Sequence, residues 1–475
     1  MTKIARPELC TAPYIVRNEF FGCLVYERAT GKYFALDGDM LKVLRLSQTK
    51  TLDEVFDEVF GSRAALGEQD KDYRKDFDQL IRIFESNNMM VGGRFVGVFL
   101  DNEAVVQHAL SAPLDVGIQL TSKCPNFCGY CWVKSLDKIC SGEDMRTSEL
   151  KDVLCKLVCS GTFRVKFCGG NAVSRSDFAD LAKFARELGL HVSLSVEGAM
   201  LDKKRAEMLA GLNLPAISIG LASGTDKIWE SMRGKEGKST QRSFVSKTSD
   251  FLRLLKQRES ATRVSFHATV INENCDDISN MLVKLNNIVR EAGLKNVPLH
   301  LEPALPIGIA DGAKSVFLDA QHVYELVDWI EDYNQRKTAG DQVRITTTAK
   351  VPFAVAMNQV EGFACRCGVS SAFISAKGYM YPSASVIGVV ETSDVISIRR
   401  REFSAVWQQT PLFNSFRGLT ANDICKRCSE YKTCHGGCRS RALLYNPKSA
   451  RACDPWCRLQ GNKDNNNQYG RRRRQ

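Results

Sequence analysis

The sequence predicts an α/β protein whose middle part forms a parallel sheet. Short apolar runs alternate with helix-length segments over residues 116–333, and six of these runs read as strands. Such alternation is typical of a parallel sheet, built either as an incomplete barrel or as an open doubly wound sheet. A run with closely spaced cysteines follows the first strand, where a parallel barrel has its active site. The predicted strands are 116–120, 163–167, 192–196, 216–219, 264–271 and 297–301.

Length and composition indicate a multidomain globular protein. A chain of 475 residues with 44% hydrophobic residues is long enough for two or three domains. Its 18 cysteines are grouped at metal-ligand spacings, and the N-terminus has no apolar signal segment, so we expect a reducing, cytoplasmic location. No apolar stretch approaches the roughly 20 residues that span a bilayer, so we expect no membrane association.

The chain carries an excess of positive charge, part of which lies at its C-terminus. Lys and Arg exceed Asp and Glu by 65 to 54, and four consecutive arginines belong to the tail 461–475. The tail is polar and low in complexity, and we expect it to be disordered. No aromatic residues interleave with its arginines, so we expect no nucleic-acid partner.

Three cysteines in the run TSKCPNFCGYCW are the strongest functional signal. Cys124, Cys128 and Cys131 have the spacing C-x3-C-x2-C on one short loop. Three thiolates this close together suit a cubane iron-sulfur cluster whose fourth iron has no protein ligand. A closed electron-transfer cluster or a zinc ion would need a fourth ligand nearby. The open iron predicts a site that binds a small molecule.

This loop resembles the signature of radical S-adenosylmethionine (radical SAM) enzymes. The resemblance implies that Cys124, Cys128 and Cys131 hold a [4Fe–4S] cluster whose open iron binds S-adenosylmethionine, and that a 5'-deoxyadenosyl radical then removes hydrogen from a substrate. It also implies that Tyr130 contacts the adenine. Most members have a six-unit partial barrel, so we expect a partial (β/α)6 barrel over residues 98–345.

Other family positions follow the second and fourth strands. In FCGGNA, Gly169 and Gly170 match the family's Gly-Gly-Glu, but Asn171 replaces the glutamate that contacts the cofactor's amino group. An amide oxygen can still accept from an ammonium group without charge assistance. In GLASGTDKIWESMRG, the resemblance implies that Arg233 holds the cofactor carboxylate, and a surface ion pair is the alternative.

A second group of cysteines lies near the C-terminus, over 346–460. The run CKRCSEYKTCHGGC has metal-ligand spacing and is followed by CDPWC, and a structural zinc module is one interpretation. The array also resembles the SPASM domain, a radical SAM extension that commonly binds two auxiliary [4Fe–4S] clusters. The resemblance implies one cluster on Cys425, Cys428, Cys434 and Cys457, and another that uses Cys438 and Cys365 or Cys367, with Cys453 as a possible substitute.

One position of this array departs from the family. Ser383 stands where the family has a cysteine ligand for the first auxiliary cluster. That cluster could therefore keep an open iron, use both Cys365 and Cys367, or be absent.

Residues 1–97 predict a small separate domain with a winged-helix pattern. Strands at 14–16, 23–27 and 33–36 precede helices at 37–46, 52–60 and 73–86. The helices are acidic or mixed in charge, which argues against DNA binding. The order and the run YERATGKYFALDGDMLKVL resemble the PqqD-like precursor-recognition domain, in which a leader peptide pairs with the third strand and contacts the third helix. The implied leader contacts are Tyr33, Phe34, Ala35, Leu36, Phe77, Leu80 and Phe84. Core packing is the competing role of each apolar helix residue among them.

The three resemblances together predict a maturase of a ribosomally synthesised peptide (RiPP). We expect a precursor peptide and an electron donor such as flavodoxin or ferredoxin as partners. A net two-electron oxidation with a cluster as electron acceptor favours a thioether or C–C crosslink. The alternatives are an epimerase, a peptide-excising maturase, a maturase of a folded protein or small molecule, and a zinc module with a DNA-binding winged helix.

Overall fold

The structure is a computed structural model. Two predicted features lie outside the residues that it describes, namely Cys365 and the tail 461–475. Among the described residues, no helix has the length and apolar character needed to cross a membrane. The structure describes residues 7–62, 66, 70–100, 109–133, 142–233, 239–307, 316–338, 340–349, 366–390, 394–417, 423–434, 436–446 and 451–459.

The N-terminal part is a four-stranded sheet covered by three helices. Its strands are in the order β3-β2-β1-β6, so that β3 is an edge strand, and β6 runs parallel to β1. A short hairpin of β4 and β5 turns at Gly92 and Gly93, which both have positive φ. The elements are β1 (Tyr14–Glu19), β2 (Gly22–Glu27), β3 (Lys32–Asp37), α1 (Gly38–Leu46), α2 (Leu52–Phe60), α3 (Asp70–Ser86), β4 (Met90–Val91), β5 (Arg94–Phe95) and β6 (Val98–Leu100).

The middle part is a parallel sheet in sequential order with helices between its strands. Seven neighbouring strands, β7 to β13, are parallel, as expected of a barrel rather than of a doubly wound sheet. Within the described residues, β13 ends the sheet on one side, so the barrel is open there. The strands are β7 (Asp115–Gln119), β8 (Arg164–Cys168), β9 (His191–Glu197), β10 (Ala216–Leu221), β11 (Arg263–Val270), β12 (Val297–Pro303) and β13 (Val343–Thr346).

The helices of the middle part cover the outer face of this sheet. In β9 the residues Val192, Leu194 and Val196 are buried, whereas the alternating Ser193 and Ser195 are only half-buried. A strand with period 2 therefore turns its apolar side chains towards the helices and its polar ones towards the concave face. The helices are α4 (Thr147–Cys159), α5 (Phe178–Glu187), α6 (Lys203–Leu212), α7 (Asp226–Arg233), α8 (Gln241–Gln257), α9 (Ile278–Glu291) and α10 (Ala320–Arg336).

The C-terminal part continues the same sheet on its other side. Strand β14 is parallel to β7, and β15 and β16 follow as antiparallel neighbours. Five short helices complete this part. The elements are β14 (Ser371–Ile374), β15 (Tyr379–Tyr381), β16 (Ile396–Ser397), α11 (Phe403–Gln409), α12 (Pro411–Arg417), α13 (Asp423–Lys426), α14 (Tyr431–Cys434) and α15 (Arg439–Tyr445).

The six predicted strands of the middle part are confirmed within one or two residues at each end. The expected domain limits stay a prediction, and strand pairing crosses two of them. Strand β6 begins at Val98 but belongs to the N-terminal sheet, and β13 ends at Thr346 within the central sheet. Short strands such as β6 are stabilised by partners distant in the sequence, which local patterns do not reveal.

Three of the predicted leader contacts have other roles in the structure. Phe77 and Phe84 are buried in the core of the N-terminal part, against Val43 and Phe56 among others. The Tyr33 side chain packs on the central sheet, where its hydroxyl accepts a hydrogen bond from the Phe163 amide at 3.1 Å. These side chains are occupied by intramolecular contacts, so we do not assign them to a leader peptide.

A buried charged network joins the N-terminal sheet to the N-terminal edge of the barrel. Arg17, which is 2% exposed, donates to Glu19 at 2.7 Å and to the carbonyls of Gly161 and Ala112 at 2.7 and 2.8 Å. Glu19 in turn accepts from the Ser111 amide at 2.8 Å. Each charge is thus satisfied only while the two parts are in contact.

We therefore predict that Arg17→Met destabilises the protein by about 3–5 kcal/mol, because it leaves the Glu19 carboxylate buried without its cation. Urea unfolding followed by fluorescence and by limited proteolysis measures the change. Lys42→Met is the control, because Lys42 forms an exposed ion pair with Asp39 and should change stability by less than about 1 kcal/mol. Equal stability of the two variants would contradict the assigned role of Arg17.

Candidate functional site

The three cysteines lie on the loop that follows β7, at the C-terminal edge of the barrel. Cys128 is buried, Cys131 is half-buried and Cys124 is exposed. The Cys131 amide donates to the Cys128 carbonyl at 3.2 Å, which closes a turn between them. Gly129, inside this turn, has open space where a side chain would be. The loop thus presents its thiols at the edge where barrel enzymes bind their ligands.

The Gly-Gly-Asn turn after β8 holds the start of the cysteine loop. The Gly170 amide donates to the Thr121 carbonyl and the Asn171 amide to the Lys123 carbonyl, each at 2.8 Å. Gly169 has a φ of +125°, and a Cβ there would lie 2.7 Å from the Thr121 carbonyl oxygen. A side chain on Gly170 would overlap the Lys123 carbonyl. Both glycines are therefore required for the two loops to approach each other.

Asp144 also holds the backbone at the start of the cysteine loop. The sequence did not predict a role for this residue. Its carboxylate accepts from the Thr121 hydroxyl at 2.7 Å and from the Ser122 amide and hydroxyl at 2.9 and 3.0 Å. An acidic residue just before a helix reads as an ordinary cap, so the sequence carries no separate signal for this contact.

Arg233, at the end of α7, reaches the cysteine loop. Its Nη1 donates to the Cys128 sulfur at 3.2 Å and to the Tyr130 hydroxyl at 3.3 Å, and its carbonyl accepts from the Phe127 amide at 2.9 Å. The guanidinium also lies over the Trp229 ring, with 5.7 Å between Cζ and the ring centroid. The alternative of a surface ion pair is wrong, because the Arg233 side chain is only 11% exposed.

The anionic partner of Arg233 is Glu197, a residue that sequence reasoning missed. The two side chains form an ion pair at the C-terminal end of β9, and Glu197 is 14% exposed. Burial raises the pKa of Glu197, and Arg233 opposes this shift. Burial lowers the pKa of Arg233, but Glu197, Tyr130 and Cys128 outweigh it and raise that pKa well above its usual value. Arg233 therefore stays charged beside the thiols.

Several polar atoms at this site are buried without a hydrogen-bond partner among the described residues. They are the Glu197 Oε1, the Arg233 Nε and the Asn126 Oδ1. A buried donor or acceptor without a partner costs about 1–3 kcal/mol, and native structures contain few of them. Unsatisfied groups beside three thiols indicate a ligand that completes their hydrogen bonds.

Titratable side chains also line the concave face of the barrel below this site. The Ser218 hydroxyl lies 3.0 Å from the His267 Nδ1, and a Cβ on Gly220 would lie 3.0 Å from its Nε2. Glycine at position 220 thus makes room for this imidazole. Burial, with a contribution from Lys166, lowers the pKa of His267 to about 3, so the ring is neutral at physiological pH. Sequence reasoning missed His267, because a lone histidine in a strand carries no motif.

The C-terminal cysteines divide into a group around one cavity and two separate residues. Cys453 lies beside the group, with its sulfur 3.6 Å from that of Cys425. Cys438 caps α15, where its sulfur accepts a hydrogen bond from the Arg441 amide at 3.4 Å. The backbone of Cys367 forms an isolated parallel β-bridge with Ser371, the first residue of β14. The Ser383 hydroxyl accepts from the Ser385 amide at 3.2 Å. The cavity is lined by Cys425, Cys428, Cys434 and Cys457, together with Glu430 and Tyr431.

A buried ion pair supports this cysteine group. Asp454 accepts from Arg441 Nε at 2.7 Å and from the Cys438 amide at 2.7 Å, and both charged side chains are almost fully buried. Removal of either partner would leave a buried charge, so the pair fixes α15 against the segment that carries Cys453 and Cys457.

Both cysteine groups could hold iron-sulfur clusters. No group of three or more His, Cys, Asp or Glu side chains within the described ranges is arranged to hold a single metal ion. A [4Fe–4S] cluster has irons and sulfides between its thiolates and therefore needs more widely spaced ligands. Cys124, Cys128 and Cys131 could supply three ligands at the first site, and the cavity cysteines four at the second.

Residues 118–282 match the model of the radical SAM superfamily. Together with the peptide-modifying relatives given below, this match shows that the chain is an enzyme. Proteins of this superfamily bind a [4Fe–4S] cluster and S-adenosylmethionine. The matched region begins in β7 and includes the cysteine loop, the Gly-Gly-Asn turn, Glu197 and Arg233.

The chain is also similar to characterised enzymes over most of its length. PqqA peptide cyclase of Bradyrhizobium diazoefficiens is 26% identical over 372 residues, which cover 76% of this chain and 90% of that protein. PqqA peptide cyclase of Gluconobacter oxydans is 25% identical over 74% of this chain and 91% of that protein. AdoMet-dependent heme synthase of Oleidesulfovibrio alaskensis is 23% identical over 73% and 87% of the two chains.

Solved structures share the fold. Streptococcus suis SuiB bound to S-adenosylmethionine superposes with a TM-score of 0.65 at 18% identity, over 94% of this chain and 99% of SuiB. The structure of SuiB bound to its precursor peptide SuiA gives the same TM-score at 16% identity, with the same coverage. The shared fold thus includes the parts on both sides of the barrel.

We predict that replacement of Cys124, Cys128 and Cys131 by alanine removes about four irons and four sulfides per chain from anaerobically purified protein. Iron and sulfide analysis measures the loss. Cys23→Ala is the control, because Cys23 is buried in the N-terminal core away from both cysteine groups and should leave the iron content unchanged. An unchanged iron content in the triple variant would disprove the assignment of these ligands.

Proposed function

We propose that this enzyme matures a ribosomally synthesised precursor peptide by forming a thioether or C–C crosslink in it. Two features of the chain together carry the proposal. One is the thiol loop at the C-terminal edge of the barrel. The other is the small N-terminal sheet, whose edge strand β3 has no neighbouring strand on its outer side within the described residues. An edge strand offers backbone donors and acceptors to an extended peptide. The names of the relatives agree, since PqqA peptide cyclase acts on a peptide and SuiB binds a precursor peptide.

The proposed reaction removes two hydrogens from the peptide. When bound, a reduced cluster and S-adenosylmethionine supply a 5'-deoxyadenosyl radical that takes one hydrogen atom from a core residue. The new bond then forms with loss of one proton and one electron. Cys425, Cys428, Cys434 and Cys457 would hold an auxiliary cluster, which would supply an acceptor for this electron, and an external flavodoxin or ferredoxin would supply the electron that starts each turnover.

The leader peptide is proposed to pair with β3. Phe34 and Leu36 are half-buried on this strand and Ala35 is exposed, so the strand keeps both apolar side chains and backbone available. Leu80 on α3 packs only partly against the N-terminal core. The proposed leader contacts are therefore Phe34, Ala35, Leu36 and Leu80, without Tyr33, Phe77 and Phe84.

We predict that co-expression with a candidate precursor peptide lowers the mass of that peptide by about 2 Da, because a crosslink removes two hydrogens. High-resolution mass spectrometry of the isolated peptide measures the change. An unchanged mass with deuterium uptake from solvent would show epimerisation, and a larger loss would show excision, and either result would overturn the crosslink.

A variant of the C-terminal cysteines separates radical formation from product formation. Cys434→Ala should still cleave S-adenosylmethionine but give little crosslinked peptide, because it removes the proposed electron acceptor. Full crosslinking by this variant would disprove the role of the auxiliary cluster.

For the leader peptide, we predict that Leu36→Asp and Leu80→Asp each weaken its binding by roughly 10-fold or more, because a charge replaces a buried apolar contact. Fluorescence anisotropy with a labelled leader measures the affinity. Val91→Asp is the matched control, because Val91 is a 65% exposed apolar residue on the β4–β5 hairpin of the same domain. These point variants are preferable to deletion of residues 1–97, which would expose the barrel surface that Tyr33 and Arg17 cover.

A further inference from the structure

The ion pair between Glu197 and Arg233 carries an inference about cofactor binding. We propose that Glu197 is a cofactor-binding residue whose carboxylate accepts hydrogen bonds from the ammonium group of S-adenosylmethionine. The inference rests on the radical SAM domain alone and is independent of the proposed peptide substrate.

The chemistry of the ligand matches the pair. The amino-acid end of S-adenosylmethionine is a zwitterion, so its burial requires a cation for the carboxylate and an anion for the ammonium. Arg233 is charged and lies 3.2 Å from the Cys128 sulfur. Glu197 supplies the opposite charge at the same place. The two side chains together present complementary charges to both groups of the ligand.

The position of Glu197 follows from the strand register. Strands β8 and β9 pair with Phe167 opposite Leu194. Strand β8 ends at Cys168 and the parallel strand β9 ends at Glu197, so Glu197 lies at the same edge of the sheet as the Gly-Gly-Asn turn that follows β8.

One carboxylate oxygen of Glu197 has no hydrogen-bond donor among the described residues. Its Oε1 is buried and has no hydrogen-bond partner among the described residues, although the Ala199 amide approaches the carboxylate and lowers its pKa. A carboxylate that served only to hold Arg233 would leave this oxygen unsatisfied at a cost of about 1–3 kcal/mol. An ammonium donor removes that cost.

The neighbouring residue cannot supply the charge. Asn171 is 5% exposed and ends the Gly-Gly-Asn turn, but its side chain is a neutral amide. Glu197 is the carboxylate that pairs with Arg233 among the described residues. The missing negative charge at position 171 is thus provided from the next strand.

The test compares two ligands on the anaerobically reconstituted protein, without any peptide. Glu197→Gln should weaken the affinity for S-adenosylmethionine by roughly 10- to 100-fold, as expected for the loss of a charged hydrogen bond. It should not change the affinity for an analogue that lacks the α-amino group. Equilibrium dialysis measures both dissociation constants, and iron and sulfide analysis verifies that the cluster is retained.

Two further variants make the result decisive. Glu302→Gln removes another carboxylate from the end of a barrel strand, one that accepts from the Thr348 amide at 3.1 Å, and should change neither affinity. Glu197→Asp keeps the charge, should fold if the glutamine variant does not, and should still prefer S-adenosylmethionine over the analogue. The inference would be overturned if Glu197→Gln did not weaken the affinity for S-adenosylmethionine. It would also be overturned if the variant weakened the affinity for both ligands equally, because Glu197 would then act only through Arg233.

Discussion

The structure depends on the meeting of two loops at the C-terminal edge of the parallel sheet. Parallel pairing of β7 with β8 brings the cysteine loop and the Gly-Gly-Asn turn to the same edge, and two backbone hydrogen bonds then join them. The bonds are possible only because residues 169 and 170 have no side chains. The two bonds thus fix the backbone at Thr121 and Lys123, directly before Cys124, against the neighbouring strand of the sheet.

Charge is concentrated where the loops meet. Arg233 lies between the Cys128 sulfur and the Glu197 carboxylate, in surroundings from which water is largely excluded. If Cys128 holds the proposed cluster, a cation this close would stabilise the thiolate form that iron requires, and hydrogen bonds to such sulfurs tune cluster potentials. The neutral His267 and the half-buried serines of the concave face continue a polar surface below this point.

The two ends of the barrel have different roles. The N-terminal ends of the strands are covered by the small sheet, through Arg17 and Tyr33, and these contacts stabilise the protein. The C-terminal ends carry the thiols and the ion pair. The attachment uses side chains, so within the described residues the backbone edge of β3 has no partner strand although the small sheet is held on the barrel.

The sequence by itself determined the elements and the chemistry that depend on local spacing. The six barrel strands, the helices α1 to α3 and the thiol loop could be predicted, because alternation of apolar residues and the spacing of ligands are local properties. The tertiary structure alone decided which distant residues meet. Glu197, Asp144 and His267 carry no local motif, and Tyr33, Phe77 and Phe84 have the same apolar pattern whether they face a core or a ligand. Burial and pairing across strands are set by the whole fold, so only the fold could place a carboxylate beside Arg233 and bury three aromatic residues that the sequence offered as leader contacts.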